Sequence, residues 1–215
     1  MPSPTVFIVD DDTGIRNNIP VLLESAGLQA ECFASAEKFL KVYGPEREGC
    51  LLLDVRMPGM SGPELQEELA RRNLRLPIIF LTGYAEIATG IEAMKQGAAD
   101  FLTKPVNGAL LLQRVQAALK RDREQRQADA AKHQFEERLR KLTDREREVL
   151  VLALSGMTNK LISTRLQISL RTIEGHRSRI FLKTGVRSLV ELAQAAASQG
   201  VSLVDLESRS HTAGP

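Results

Sequence analysis

The 215-residue chain is 43% hydrophobic and 26% charged with a formal net charge of +2, a composition that excludes a disordered or fibrous protein and suits two globular domains. Its apolar runs, residues 51–53 and 78–81 among them, are too short to cross a bilayer, and Met1-Pro2-Ser3-Pro4 has no secretion pattern, so a cytoplasmic protein with no membrane partner is expected. Residues 1–119 hold 11 Lys/Arg against 15 Asp/Glu, residues 120–141 hold 8 against 5, and residues 142–215 hold 10 against 7; an acidic front joined to a basic back makes nucleic acid a candidate partner for the back.

In chain order, short runs rich in β-branched residues fall at 5–9, 30–33, 50–54, 78–82 and 101–103. Helix-period segments alternate with them: Ile15, Ile19, Leu22, Leu23 and Ala26 form one face, Leu65 and Leu69 another. The alternation predicts an α/β doubly wound domain, with a five-stranded parallel sheet covered by helices on both faces. From Asn107 a helical pattern (Leu111, Leu112, Val115, Ala118, Leu119) runs into the charged stretch 120–141, and an apolar thread continues through Ala128, Ala131, Phe135, Leu139 and Leu142. One long linking helix is expected, either solvated or paired with a second copy as a coiled coil.

Beyond it, Thr143-Asp144-Arg145-Glu146 reads as a capping box opening a helix that buries Val149 and Leu150, and Ser155-Gly156 stops that helix. Two further helices, 159–166 and 170 to about 183, have Thr158 and Ser169 as N-caps and Gly185 as a C-terminal stop. A fourth spans 189–197. The expected organisation is a domain over 4–120, a helical linker over 121–141, an all-α four-helix domain over 142–206 and a disordered tail over 207–215, which lacks apolar anchors. Cys32 and Cys50 show neither CxxC spacing nor neighbouring histidines, so both read as small buried apolar side chains and no zinc site or disulfide is indicated.

In open α/β sheets ligands bind outside the carboxyl ends of the strands. That edge receives Asp10, Asp11 and Asp12 after the first strand, Asp54 at the end of the third, Thr82 at the end of the fourth and Lys104 after the fifth. Three clustered carboxylates need a cation or protons to neutralise them, and hard oxygen donors at this density suit Mg²⁺ beside a phosphate. With Lys104 as a positive charge and Thr82 as a hydroxyl facing the anion, the set fits phosphoryl transfer, and Asp54 is the natural nucleophile. The layout also permits a Mg²⁺-dependent phosphate-ester hydrolase, although Arg56, not a general acid, stands two residues after Asp54. The C-terminal helices also permit an adaptor that binds protein.

The runs Phe7-Ile-Val-Asp10-Asp11-Asp12, Leu52-Leu-Asp54-Val-Arg-Met57-Pro58, Leu81-Thr82-Gly83 and Phe101-Leu-Thr-Lys104-Pro105 resemble the receiver domain of two-component response regulators, a flavodoxin-like fold. The resemblance implies that Asp54 takes a phosphoryl group from a sensor histidine kinase. It also implies Mg²⁺ held by Asp11, Asp54, the backbone carbonyl of Arg56 and, through water, Asp10. Thr82 and Lys104 would move onto the phosphoryl oxygens and Phe101 would turn inward. The face formed by the fifth strand and the helix before it would become competent to form a homodimer, and the Lys104-Pro105 bond would be cis. Val106 and Asn107-Gly108 depart from the usual pattern.

Helix 170–183, with Ile173, Ile180 and Phe181 toward a core and polar groups elsewhere, follows 159–166 and a short turn as a helix-turn-helix. Residues 142–192 look like a LuxR/NarL-type DNA-binding domain through Leu142-Thr-Asp-Arg-Glu, Gly156-Met-Thr-Asn-Lys160, Thr172-Ile-Glu-Gly-His176 and Lys183-Thr-Gly-Val186. Ser163 and Thr184 replace the usual Ala and Leu. The resemblance puts Glu174, Gly175, Arg177 and Ser178 near base edges in the major groove, with Glu174 accepting from cytosine and Arg177 pairing with guanine. It puts Asn159, Lys160, Thr172, Arg179 and Lys183 near phosphates, and gives His176 a structural role or a backbone contact. Both segments together resemble FixJ-type response regulators. That similarity implies a regulator, not an enzyme, that acts on double-stranded promoter DNA, with RNA polymerase a further partner.

Overall fold

The computed structural model describes residues 4–83 and 97–202. The chain divides into two compact units, residues 1–125 and 126–215.

In the first unit, strands β1 (Thr5–Val9), β2 (Gln29–Phe33), β3 (Gly49–Asp54), β4 (Ile78–Thr82) and β5 (Asp100–Thr103) form one sheet in the order β2-β1-β3-β4-β5. Every pairing is parallel. β1, β3 and β4 are buried from end to end apart from Thr5, which is why they read as unbroken apolar runs and not as alternating ones. Helices α1 (Thr13–Ser25), α2 (Ala36–Val42) and α3 (Gly62–Arg71) connect them. One core packs Phe7, Phe39, Leu51, Leu53, Leu65 and Phe80 on one face of the sheet; the other packs Ile8, Leu23, Leu52, Leu81, Leu111 and Val115 on the opposite face. Fully burying side chains of this size contributes about 1.5–3 kcal/mol each.

Cys50 is buried as expected, and burial pushes its thiol up to about 12. Cys32 is not: it is exposed. The reason is topological, because β2 is the edge strand and lacks a neighbour on one side. The Cys32 thiol donates to the Arg16 carbonyl at 3.4 Å.

Helix α4 (Gly108–Arg140) is the long helix the sequence predicts. Asn107 caps it by accepting from Leu110 N at 3.0 Å, and a Cβ on Gly108 would lie 3.1 Å from Leu22. The Asn107-Gly108 departure therefore combines a cap with a close approach. The apolar thread along α4 is split. Leu111, Val115 and Ala118 are buried in the first unit's core and Phe135 and Leu139 in the second's. Ala128 and Ala131, between them, are exposed. Two alanines are too little for a coiled-coil seam, which needs large apolar residues repeated over several heptads.

The second unit adds α5 (Asp144–Leu154), α6 (Asn159–Leu166), α7 (Leu170–Thr184) and α8 (Leu189–Ser198). Its core gathers Phe135, Leu139, Leu142, Val149, Leu150, Ile162, Ile173, Ile180 and Leu192. The capping box at α5 closes both ways between Thr143 and Glu146. Thr158 and Ser169 cap α6 and α7 with their side chains. Gly185 ends α7 in the left-handed conformation at φ 77°, which glycine adopts without a Cβ penalty. The unusual Ser163 and Thr184 hydroxyls are both satisfied, donating to the carbonyls of Ile168 at 2.5 Å and Ile180 at 2.7 Å. The expected tail over 207–215 and the helix expected between β4 and β5, with its share of the expected dimer face, lie outside the described residues.

Candidate phosphoacceptor pocket and nucleic-acid surface

The pocket follows from the register of the sheet. Val9 pairs with Leu53 and Asp54 pairs with Leu81, so the residues just after β1 and at the ends of β3 and β4 meet at one edge. Ligand-capable oxygens of Asp10, Asp11 and Asp54 lie within 4.8 Å of one another. Lys104 Nζ bridges two of them, donating to Asp10 Oδ2 at 2.8 Å and lying 3.0 Å from Asp54 Oδ1. Asp10 is fully buried and Asp54 is 7% exposed.

Asp10 is held on three sides. Its Oδ1 accepts from Asp12 N at 2.8 Å, its Oδ2 from Lys104, and its carbonyl from Arg16 Nη1 at 2.7 Å. Asp12 also caps α1, accepting from Gly14 N at 2.7 Å. The run of three aspartates thus divides into a buried carboxylate, an exposed carboxylate and a cap. Behind Asp54 the start of α3 comes so close that a Cβ on Gly62 would lie 2.3 Å from the Asp54 carbonyl oxygen, so only glycine fits there.

Burial pushes the Asp54 carboxyl up to about 6; the hydrogen bond from Lys104 pulls it back, and the charge of Asp10 adds to the rise. Burial works against the Lys104 charge as well, but its bonds to Asp10 and Asp54 outweigh this and hold the ammonium above its ordinary value. A single lysine leaves the three carboxylates short of positive charge. A hard divalent cation would supply it, and the all-oxygen donor set fits Mg²⁺.

Thr82 is fully buried and donates from Oγ1 to the Gly83 carbonyl at 3.1 Å. Lys104 N donates to the Thr82 carbonyl at 2.8 Å, and the Lys104-Pro105 bond is cis. Phe101 is half-buried against the core on the α3 face, and Arg56 is exposed. Arg16 escaped sequence reasoning. The available signal was its place in the first turn of α1, four residues after the capping Asp12.

In the second unit, α6 and α7 are joined by Gln167, which adopts the left-handed conformation at φ 55°, and Ser169. Lys160, Thr172, Glu174, Ser178 and Arg179 are exposed. Gly175, His176 and Arg177 are half-buried. Thr172 shares a hydrogen bond with the Ser169 hydroxyl at 2.8 Å, and Ser178 Oγ donates to the Glu174 carbonyl at 3.0 Å. His176 Nδ1 is buried without a hydrogen-bond partner, which suits packing and not base reading. Three more of the expected DNA contacts, Asn159, Arg177 and Lys183, are tied by their long side chains within the unit. Arg177 Nη1 donates to Asn159 Oδ1 at 2.7 Å. Lys183 Nζ donates to Glu146 Oε2 at 2.6 Å, tying the end of α7 to the capping box of α5. Burial raises the Glu146 carboxyl, but the hydrogen bonds from Lys183 and Thr143 outweigh it and hold it below the usual range. Glu146 as a partner for Lys183 was invisible in the sequence, where it reads only as a capping residue.

Residues 6–116 match the response regulator receiver domain family, and residues 140–196 match the bacterial regulatory proteins of the luxR family. The chain is 40% identical over 200 residues to the transcriptional regulatory protein FixJ of Azorhizobium caulinodans, covering 93% of this chain and 95% of that one. It is 39% identical over 197 residues to nodulation protein W of Bradyrhizobium diazoefficiens, covering 92% and 87%. Among solved structures it is similar to the response regulator StyR, with 43% identity and a TM-score of 0.85 over 91% of this chain and 99% of that one. It is also similar to full-length FixJ from B. japonicum, with 34% identity and a TM-score of 0.59 over 93% and 98%. Among the described residues no helix is long and apolar enough to cross a membrane. The chain belongs to the FixJ/NarL-type response regulators, transcription regulators in which a receiver domain precedes a LuxR-type DNA-binding domain.

Proposed function

We propose that Asp54 is the phosphoacceptor of this regulator and that its phosphorylation by a sensor histidine kinase controls DNA binding by the second unit. The observation that carries this reading is Lys104 Nζ set between the buried carboxylates of Asp10 and Asp54, beside Asp11, at the carboxyl edge of the sheet.

In the reaction an Asp54 carboxylate oxygen attacks the phosphorus of a phosphohistidine, the P–N bond breaks, and the imidazole leaves with its electron pair. Asp11, Asp54, the Arg56 carbonyl and, through water, Asp10 would hold a Mg²⁺ ion, which would supply charge neutralisation to the transferred group. Lys104 leaves Asp10 for one phosphoryl oxygen. The Thr82 hydroxyl, now on the Gly83 carbonyl, turns to another, and Phe101 moves inward behind it. The altered β5 face then supports a homodimer.

On DNA, α7 enters the major groove of a promoter with Glu174, Gly175, Arg177 and Ser178 at base edges, and Lys160, Thr172 and Arg179 serve phosphates. RNA polymerase is the further partner by which such binding changes transcription. Incubation with acetyl phosphate and Mg²⁺ tests the acceptor. Wild type should gain one acid-stable, base-labile phosphoryl group and Asp54→Asn none; undiminished labelling of the variant would refute the assignment.

A further inference from the structure

Asn159 and Arg177 stand 18 positions apart, on the first residue of α6 and in the middle of α7, and their side chains meet at 2.7 Å between Nη1 and Oδ1. The Arg177 guanidinium carbon also lies 5.9 Å from the ring centroid of Phe181, one turn further along α7. The guanidinium is therefore held by two different elements. An arginine has five N–H donors in a rigid fork, and the bond to Asn159 consumes one of them. The others stay free to form the paired, parallel hydrogen bonds by which arginine reads the two acceptors of guanine in the major groove. An arginine left loose would lose rotamer freedom on binding and would reach phosphates as easily as bases; one already held loses less and reaches fewer partners.

We propose that Asn159 is a specificity-determining positioning residue, which by holding Arg177 aims its guanidinium at a single base pair and does not itself contact a phosphate. The inference rests on the DNA-binding reading above and adds the way one base position is read.

In vitro selection from a randomised duplex pool tests it, using the full chain with acetyl phosphate and Mg²⁺ in every arm. Wild type should enrich a motif with one strongly preferred G·C pair that Arg177→Ala loses. Asn159→Ala should relax that same position by about tenfold, leaving the other positions, the melting temperature and the salt dependence unchanged. Asn159→Asp keeps the acceptor oxygen and should restore the preference. The inference is overturned if Asn159→Ala selects that base as sharply as wild type. It is equally overturned if the variant weakens binding to all sequences evenly. An even loss with a lower melting temperature marks a structural stitch between helices, and an even loss with a salt slope reduced by about one marks a phosphate contact. If wild type itself enriches no sequence, the DNA-binding reading falls first and the inference falls with it.

Discussion

In the acidic pocket the carboxylates are placed by backbone: Asp10 directly follows β1 and Asp54 ends β3, both strands buried apart from Thr5, and their separation follows from the register of the two. In the helix-turn-helix unit the charged groups are placed by other side chains. Arg177 is bonded to Asn159, and Lys183 is tied down by Glu146. The first arrangement concentrates like charge where water is scarce, and Asp54 is raised to about 6 as a result. The second spreads positive charge over half-exposed helix surfaces and spends part of it on internal ties. A pocket of the first kind waits for a cation and an anion; a surface of the second kind is already shaped before its partner arrives.

This contrast predicts different sensitivities. The largest stability effect should come from the tie in the second unit, because Glu146 is 2% exposed and its removal leaves Lys183 and the Thr143 amide without their acceptor. Glu146→Ala should cost about 2 kcal/mol in urea unfolding at pH 7, the loss being moderated by the partial exposure of Lys183. The folded-state carboxyl of Glu146 is depressed, so its contribution is present above the unfolded carboxyl value of about 4.3 and lost as pH falls below it. Wild type and variant should therefore converge in acid. Equal stability at neutral pH would show that the tie holds nothing.

The pocket should respond to a cation instead. At ten times its dissociation constant Mg²⁺ should stabilise wild type by about 1.4 kcal/mol, read as a rise in melting temperature that a chelator reverses. Asp11→Asn, which removes the exposed carboxylate of the cluster, should melt at the same temperature with and without the ion. A variant that still responds in full would move the binding site elsewhere.

The same contrast explains what was legible in the sequence. Strand ends, alternation and caps are local signals. The sheet, the pocket at its carboxyl edge, the long helix and the capping box at Thr143 could all be read from them. Cys32 was misplaced because burial of a strand residue depends on whether its strand lies at an edge, and strand order is not a local property. The fates of Asn159, Arg177 and Lys183 were hidden for a related reason. Long polar side chains choose partners across 18 to 37 positions, where no periodicity links them. The apolar thread along α4 looked continuous because its spacing is regular, yet its two ends are buried in separate cores.

The measurement that bears most directly on control of DNA binding through Asp54 is the affinity of the full chain for its selected duplex, with and without acetyl phosphate in Mg²⁺, at fixed salt, for wild type and Asp54→Asn. The phosphoryl donor should tighten binding by wild type at least tenfold, about 1.4 kcal/mol, and leave Asp54→Asn unchanged. An equal response in both proteins, or none in a wild type that is demonstrably phosphorylated, would contradict it.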